Sequence, residues 1–222
     1  MPLAEALRHA ITRHIPDGEP DTLSGHADDG DRLASDHMAI IPMPWVDSEY
    51  ANGKLFGAAL VLPAGVSDAD YQALITALSQ WLSSGGVVDV GPVRWTMGIA
   101  QGSRPYSLQE SRYQRMAPTW ATITPVVFYR HPRRNLTLHD VVSRMCQDVG
   151  LPAPKKVEAM SHGPVQGAAE SRRHSLGGRT YLRNRYTSHL RLEWNRLVPG
   201  PVLLGRGQYF GLGVMIRAKE AA

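Results

Sequence analysis

Residues 120–160, WATITPVVFYRHPRRNLTLHDVVSRMCQDVGLPAPKKVEAM, carry the pattern that decides the fold. The apolar, β-branched run Trp120–Tyr129 predicts a strand-rich stretch. Thr137, followed three residues later by Asp140, marks a helix N-terminus. Leu138, Val141, Val142, Met145 and Val149 then keep the helical period until Gly150 and Pro152 end it. Val157–Met160 returns to strand. The first half shows the same layout. Asn52-Gly53 marks a turn, Leu55–Leu62 is a strongly apolar strand, and Ser67-Asp68-Ala69-Asp70 opens a helix. Tyr71, Leu74, Ile75, Leu78, Trp81 and Leu82 form that helix's apolar side up to Gly85-Gly86, and Val87–Met97 reads as strand. Two α+β lobes follow, residues 1–115 and 116–222, each a helix packed on a small antiparallel sheet.

Outward from these units, residues 3–14 predict a short amphipathic helix that stops at Pro16-Asp17-Gly18. The polar stretch 17–37, DGEPDTLSGHADDGDRLASDH, is longer than idle connectors usually are and marks a functional loop. Met38–Val46 is apolar but interrupted by Pro42 and Pro44, as in an edge strand. In Thr180–Trp194 the residues alternate, with Leu190, Leu192 and Trp194 on one face and His189, Arg191 and Glu193 on the other.

Near the C-terminus, GPVLLGRGQYFGLGVM (200–215) places two Gly-x-Gly units, Gly205-Arg206-Gly207 and Gly211-Leu212-Gly213, around a short polar-aromatic spacer. Glycine permits positive φ and close backbone approach. Consecutive N–H groups in such a loop form an anion-binding nest, to which Arg206 adds a bidentate phosphate donor. The chain has no Gly-Lys-Ser/Thr element, so this is not an ATP-binding loop. The structural alternative is a glycine-rich hairpin.

Charge is segregated along the chain. Residues 1–111 hold 6 basic and 14 acidic side chains (net −8) and residues 112–222 hold 18 and 6 (net +12), which together give the +4 of the whole. Of the basic residues, 4 are Lys, so the positive half is built from Arg. Arginine grips phosphates and stacks on bases, and a basic half of this kind points to nucleic acid. Arg172, Arg173, Arg179, Arg183, Arg185 and Arg191 are interleaved with Tyr181, Tyr186 and His174, the combination that pairs phosphate contacts with base stacking. Arg130, Arg133, Arg134, Lys155 and Lys156 extend the footprint. A mobile basic loop without sequence preference, or a charged face for another subunit, is the plainer alternative. The single cysteine, Cys146, excludes an intrachain disulfide framework and suits a reducing cytosol. No apolar run is long enough to span a bilayer and the N-terminus lacks a signal-peptide core, so a cytoplasmic protein without membrane contact is expected.

The segments LSGHADDGDRLASDHMAIIPMPWV (23–46), WATITPVVFYRHPRR (120–134) and HLRLEWNRLVPGPVLLGRGQYFGLG (189–213) resemble one family across nearly the whole chain. It is the repeat-cleaving endoribonuclease half of the fused backbone-cap/endoribonuclease subunit of type I-G (formerly I-U) CRISPR systems, within the repeat-associated mysterious protein (RAMP) superfamily. The resemblance implies tandem ferredoxin-like (RRM-like) lobes and a precursor CRISPR RNA as substrate. It implies metal-independent cleavage at the repeat hairpin, without cofactor, and partnership with other subunits of a type I interference complex. The spacer Gln208-Tyr209-Phe210 is shorter than the superfamily's usual one. The family's full subunit also carries a backbone-cap domain ahead of this region, so an excised half or a stand-alone relative is expected.

Metal-free scission uses the ribose 2′-OH as nucleophile and needs a base, an acid and donors for the charge on phosphorus. Histidine suits the first two tasks near neutrality. The resemblance puts the catalytic imidazole in the N-terminal lobe, which selects His26 first and His37 second among nine histidines. His174 is a third choice, and His174 and His189 are expected to approach RNA. For His26 and His37 the structural alternative is local hydrogen bonding in a turn or at a strand start. Asp28, Asp29, Asp31 and Asp36 beside them raise a divalent-metal site as a rival. The spacing fits no calcium loop, since the twelfth position counted from Asp28 or Asp29 is Ala39 or Ile40, and no metal ligands are assigned. The rival functions are a catalytically inactive subunit holding the 3′ stem-loop and a general RNA-binding protein.

Overall fold

The computed structural model describes residues 2–15, 21–24, 37–101, 105–170 and 185–218. It is a mixed α+β protein whose helices pack with small antiparallel sheets, consistent with ferredoxin-like lobes. Two compact units share the chain: Met1–Pro42 with Gly57–Gly102, and Met43–Phe56 with Ser103–Ala222.

In the first unit, helix α1 (Pro2–Thr12) buries Leu3, Leu7, Ala10 and Ile11, the face expected from their spacing. It packs on α3 (Asp68–Ser83) and β3 (Val87–Val90). Arg8 is buried too, donating to the carbonyls of Leu23 and Met38. The stretch expected to be loop from 17 to 37 contains one helical turn, α2 (Asp21–Ser24), tied to α3 by the Thr22 hydroxyl on Asp70 at 2.6 Å. Strands β1 (Ala39–Pro44) and β2 (Leu55–Val61) pair with each other.

Helix α3 starts where Ser67 caps the amide of Asp70. Its burial is narrower than its apolar pattern: Leu74, Ala77 and Trp81 are buried, whereas Tyr71 and Ile75 remain 44% and 38% exposed. The stretch 87–97 is two strands rather than one. Gly91, at φ 59°, and Pro92 turn β3 back into β4 (Val93–Thr96), with Val87 opposite Thr96.

In the second unit, α5 (Leu138–Asp148) begins in a complete capping box: Thr137 Oγ1 accepts from the Asp140 amide and Asp140 accepts from the Thr137 amide at 2.9 Å. It follows α4 (Ser111–Gln114), β5 (Ala117–Thr122) and β6 (Val126–Val127), and precedes β7 (Lys156–Met160), β8 (Thr187–Val198) and β9 (Met215–Arg217). The long strand β8 is the spine of the sheet. It pairs antiparallel with β5 and β6 and with β7, and β9 lies on the outer side of β5. Val142, Met145 and Cys146 of α5 pack on Trp120, Leu190, Leu192 and Trp194, so the helix covers one sheet face. Burying side chains of this size contributes roughly 1.5–3 kcal/mol each.

The other sheet face corrects one expectation. His189 is fully buried, with Nδ1 2.9 Å from the Thr122 hydroxyl and Nε2 2.6 Å from the Ala169 carbonyl oxygen. Desolvation holds its pKa below the ordinary value, so it is a neutral core imidazole rather than an RNA-facing one. Among the described residues no helix is long and apolar enough to cross a membrane.

Candidate nucleic-acid interface

The glycine run closes on itself. Leu203 bridges to Val214 and Arg206 bridges to Val127, with the Arg206 amide 2.8 Å from the Val127 carbonyl oxygen. Gly205, Gly207, Gly211 and Gly213 all have positive φ, between 61° and 86°. A Cβ at Gly213 would overlap the Leu204 carbonyl oxygen, and one at Gly205 would meet the Val127 carbonyl oxygen at 2.5 Å. The amides of Arg206, Phe210, Gly211, Leu212 and Gly213 all donate to carbonyls within the chain. To the neighbouring cavity wall the loop contributes the Arg206 side chain, held between two left-handed glycines.

That surface is built by three separate stretches. After β6 the chain enters Tyr129–Leu136, where Arg133 and Leu136 exchange backbone hydrogen bonds of 2.8 and 3.0 Å. This tight turn holds Arg133, Arg134 and Asn135 outward. Arg185 joins from two residues ahead of β8, donating to the Tyr129 carbonyl at 3.3 Å. Together they line a groove of about 830 Å³ whose polar wall is Arg130, His131, Arg133, Arg134, Asn135 and Arg185. Tyr186 packs behind it, with ring centroids 4.9 Å from Phe128 and 5.9 Å from His131. Arg130, Arg133 and Arg134 have no carboxylate partner among the described residues. Like charges gathered without counterions repel one another, and a polyanion relieves that repulsion.

A second cavity of about 750 Å³ shares Tyr129, Arg130 and Leu136 with the first. Val141, Met145, Asp148 and Arg206 contribute to its remaining wall. The Arg206 guanidinium lies 5.7 Å from the Tyr129 ring centroid. Burial, reinforced by Asp148 and opposed by Arg206, raises the Tyr129 hydroxyl above its usual pKa. Nothing local in the sequence singles out Arg144 or Asp148 of α5. They read as a solvated i,i+4 pair, which they are at 3.1 Å, and a loop distant in sequence makes them cavity wall.

Of the residues expected to bind RNA, Arg130, Arg133, Arg134 and Arg185 therefore come together, and Arg206 stands at the adjoining cavity. Gly205, Gly207, Gly211 and Gly213 shape the loop that holds it. Lys155, Lys156 and Arg191 lie elsewhere, on the β7–β8 ribbon. Lys155 pairs with Glu193 at 3.6 Å and Lys156 with Glu158 at 2.6 Å, while Arg191 stands across from Glu158. The pairing raises the Lys156 pKa and lowers that of Glu158. Arg172, Arg173, Arg179 and Arg183 lie outside the described residues, as do His26, His174 and the aspartates at 28, 29, 31 and 36. His37 is half-buried just ahead of β1, next to Met38, whose carbonyl Arg8 holds. Among the described residues no group of three or more His, Cys, Asp or Glu side chains is placed to hold a metal ion.

A family model described as CRISPR-associated protein, GSU0054 family, matches residues 3–217. No curated protein and no solved structure matches the chain.

Proposed function

Because the chain belongs to the GSU0054 family of CRISPR-associated proteins, we propose that it is an endoribonuclease of the RAMP type that cuts precursor CRISPR RNA at its repeat hairpins. The observation that carries this reading is the groove in which Arg130, Arg133, Arg134 and Arg185 gather beside His131 and Tyr186. Arg130, Arg133 and Arg134, exposed and without a carboxylate partner among the described residues, lie close to aromatic rings and suit an RNA backbone with accessible bases.

The chemistry proposed is internal. The ribose 2′-oxygen attacks the adjacent phosphorus, the bond from phosphorus to the 5′-oxygen breaks, and the departing oxygen takes a proton. The products are a 2′,3′-cyclic phosphate and a 5′-hydroxyl. The step consumes no water and no redox partner. His26 and His37 are the proposed proton carriers, since an imidazole near its ordinary pKa exchanges protons at neutral pH. Arginines of the groove would position the strand and offset charge on the phosphoryl oxygens. After cleavage the protein would stay on the 3′ stem-loop as part of a type I interference complex, beside the backbone-cap domain expected from the type I-G resemblance.

Incubation of labelled repeat hairpin with the protein in EDTA tests this. Cleavage that persists in EDTA and disappears with a 2′-deoxynucleotide at the scissile position supports it. Tight hairpin binding without scission would replace the enzyme by a stem-loop holder, and indifference to the hairpin would remove both.

A further inference from the structure

The two adjoining cavities of the second unit differ in chemistry, and the geometry points to a division of labour. The cationic groove takes RNA phosphates, and the cavity behind Tyr129 takes an unpaired base. The inference rests on the RNA-processing reading above and adds a ligand class to it: single-stranded RNA flanking a stem, read by at least one unstacked nucleobase.

Three observations carry it. First, among the described residues the groove holding Arg133, Arg134 and Arg185 has no carboxylate in its lining, whereas the second cavity sets Asp140 and Asp148 among Arg130, Arg144 and Arg206. Thr137 fixes Asp140 in the capping box and lowers its pKa, so that carboxylate stays ionised. Carboxylates and guanidinium groups side by side match the mixed donors and acceptors of a base edge, whereas an all-cationic wall matches phosphates. Second, the cavity has an apolar floor of Leu136, Val141 and Met145 and a stacked layer formed by Tyr129 and Arg206. A flat, half-polar ring suits those walls. Its volume of about 750 Å³ falls within the ordinary range for ligand cavities. Third, Arg206 lines this cavity and has no carboxylate partner among the described residues, so its guanidinium can donate to an acceptor on a base.

The spacing supports both tasks at once. Tyr129, Arg130 and Leu136 border both cavities, so a strand following the arginines passes directly over the second opening. Stacking on an aromatic or guanidinium plane does not require a paired partner, and a base inside a helical stem offers no free face.

The test uses the full chain and two labelled hairpins that differ only in a single-stranded flank, adenosine nucleotides in one and abasic nucleotides in the other. Both carry the same phosphates. The adenosine flank should bind ~10-fold more tightly, the scale of one stacked base. Tyr129→Ala and Arg206→Ala should each erase that difference. Retained salt-dependent binding of the abasic flank shows that the variants are folded. Equal affinity of the native protein for the two flanks overturns the inference, as does a preference that survives in both variants. Cleavage in EDTA, read in parallel, separates the two readings. A protein that cuts but ignores the bases loses only the base cavity, and one that prefers adenosine but never cuts loses only the enzymatic activity.

Discussion

Neutralising the three unpaired arginines of the groove is the sharpest perturbation the structure offers. Arg130→Gln, Arg133→Gln and Arg134→Gln together remove three cations, all exposed and none paired with a carboxylate among the described residues. Exposed substitutions of this kind typically change stability by within about 0.5 kcal/mol. Each arginine on a phosphate releases counterion, and each contact contributes about 0.7 to 0.9 to the slope of log affinity against log salt. Losing three should therefore flatten the slope by about 2 to 2.7 units. Between ~50 and ~200 mM salt that amounts to ~15- to 40-fold less salt sensitivity for the triple variant. Fluorescence anisotropy of a labelled repeat hairpin, titrated at several salt concentrations, reads the slope directly. The matched control is Lys155→Gln with Lys156→Gln, because Glu193 and Glu158 already neutralise those lysines in part. The control should move the slope far less. A triple variant whose slope stays within about half a unit of the parent would show that the groove is not the RNA track.

Four further outcomes are expected. His26→Ala should slow hairpin cleavage by ~10²-fold or more with RNA affinity nearly intact, measured by single-turnover kinetics; wild-type turnover would remove His26 from the chemistry. Asp47→Asn leaves the buried Arg112 guanidinium, 2% exposed, without its carboxylate, and denaturant unfolding should register a loss of about 3–5 kcal/mol. Gly205→Ala combines a left-handed φ of 86° with a Cβ 2.5 Å from the Val127 carbonyl oxygen and should cost at least ~1–3 kcal/mol, whereas Gly57→Ala, in open space, should be tolerated. Burial depresses the pKa of His189 below 6.5, so the unfolded chain binds a proton there that the folded chain refuses. Its contribution is complete above about pH 6.5 and is lost as pH falls from that point; His189→Gln should flatten this part of the stability profile.

How far the fold was legible depends on whether the deciding interaction is local. Helix α5 was readable because Thr137, Asp140 and the apolar positions through Met145 lie within one stretch of chain, and capping needs nothing from outside it. The apolar run 120–129 holds the end of β5 and all of β6, β7 falls where a short strand is expected, and alternation gives the core face of β8. The hairpin at Gly91-Pro92 was missed because apolar residues continue on both sides of the turn. His189 was misplaced for a different reason. Alternation puts it on the face away from Leu190, but whether that face meets water depends on Thr122 and Ala169, distant in sequence. Tyr71 and Ile75 show the converse, since a good apolar period does not supply a partner to bury it.

The glycine run shows most clearly why a site is harder to read than a fold. The same residue type serves two physical ends: it lets a chain take positive φ, and it lets another backbone come close. In a phosphate nest the amides between such glycines point outward. In this loop the amides of Arg206, Leu212 and Gly213 point inward, to carbonyls of Val127, Gly207 and Pro125. Only the tertiary partner separates the two arrangements, and the partner strand lies some eighty residues earlier in the chain. Closing the loop onto β6 brings Arg206 beside Tyr129 at one cavity, and the turn Arg133–Leu136 brings Arg133 and Arg134 to the adjoining groove that Tyr129 also borders. The glycines thus act on any bound RNA through the side chain they hold. Gly207→Ala should therefore disturb the placement of Arg206, and with it the preference for an unpaired base, more than it disturbs the salt dependence that Arg130, Arg133 and Arg134 confer.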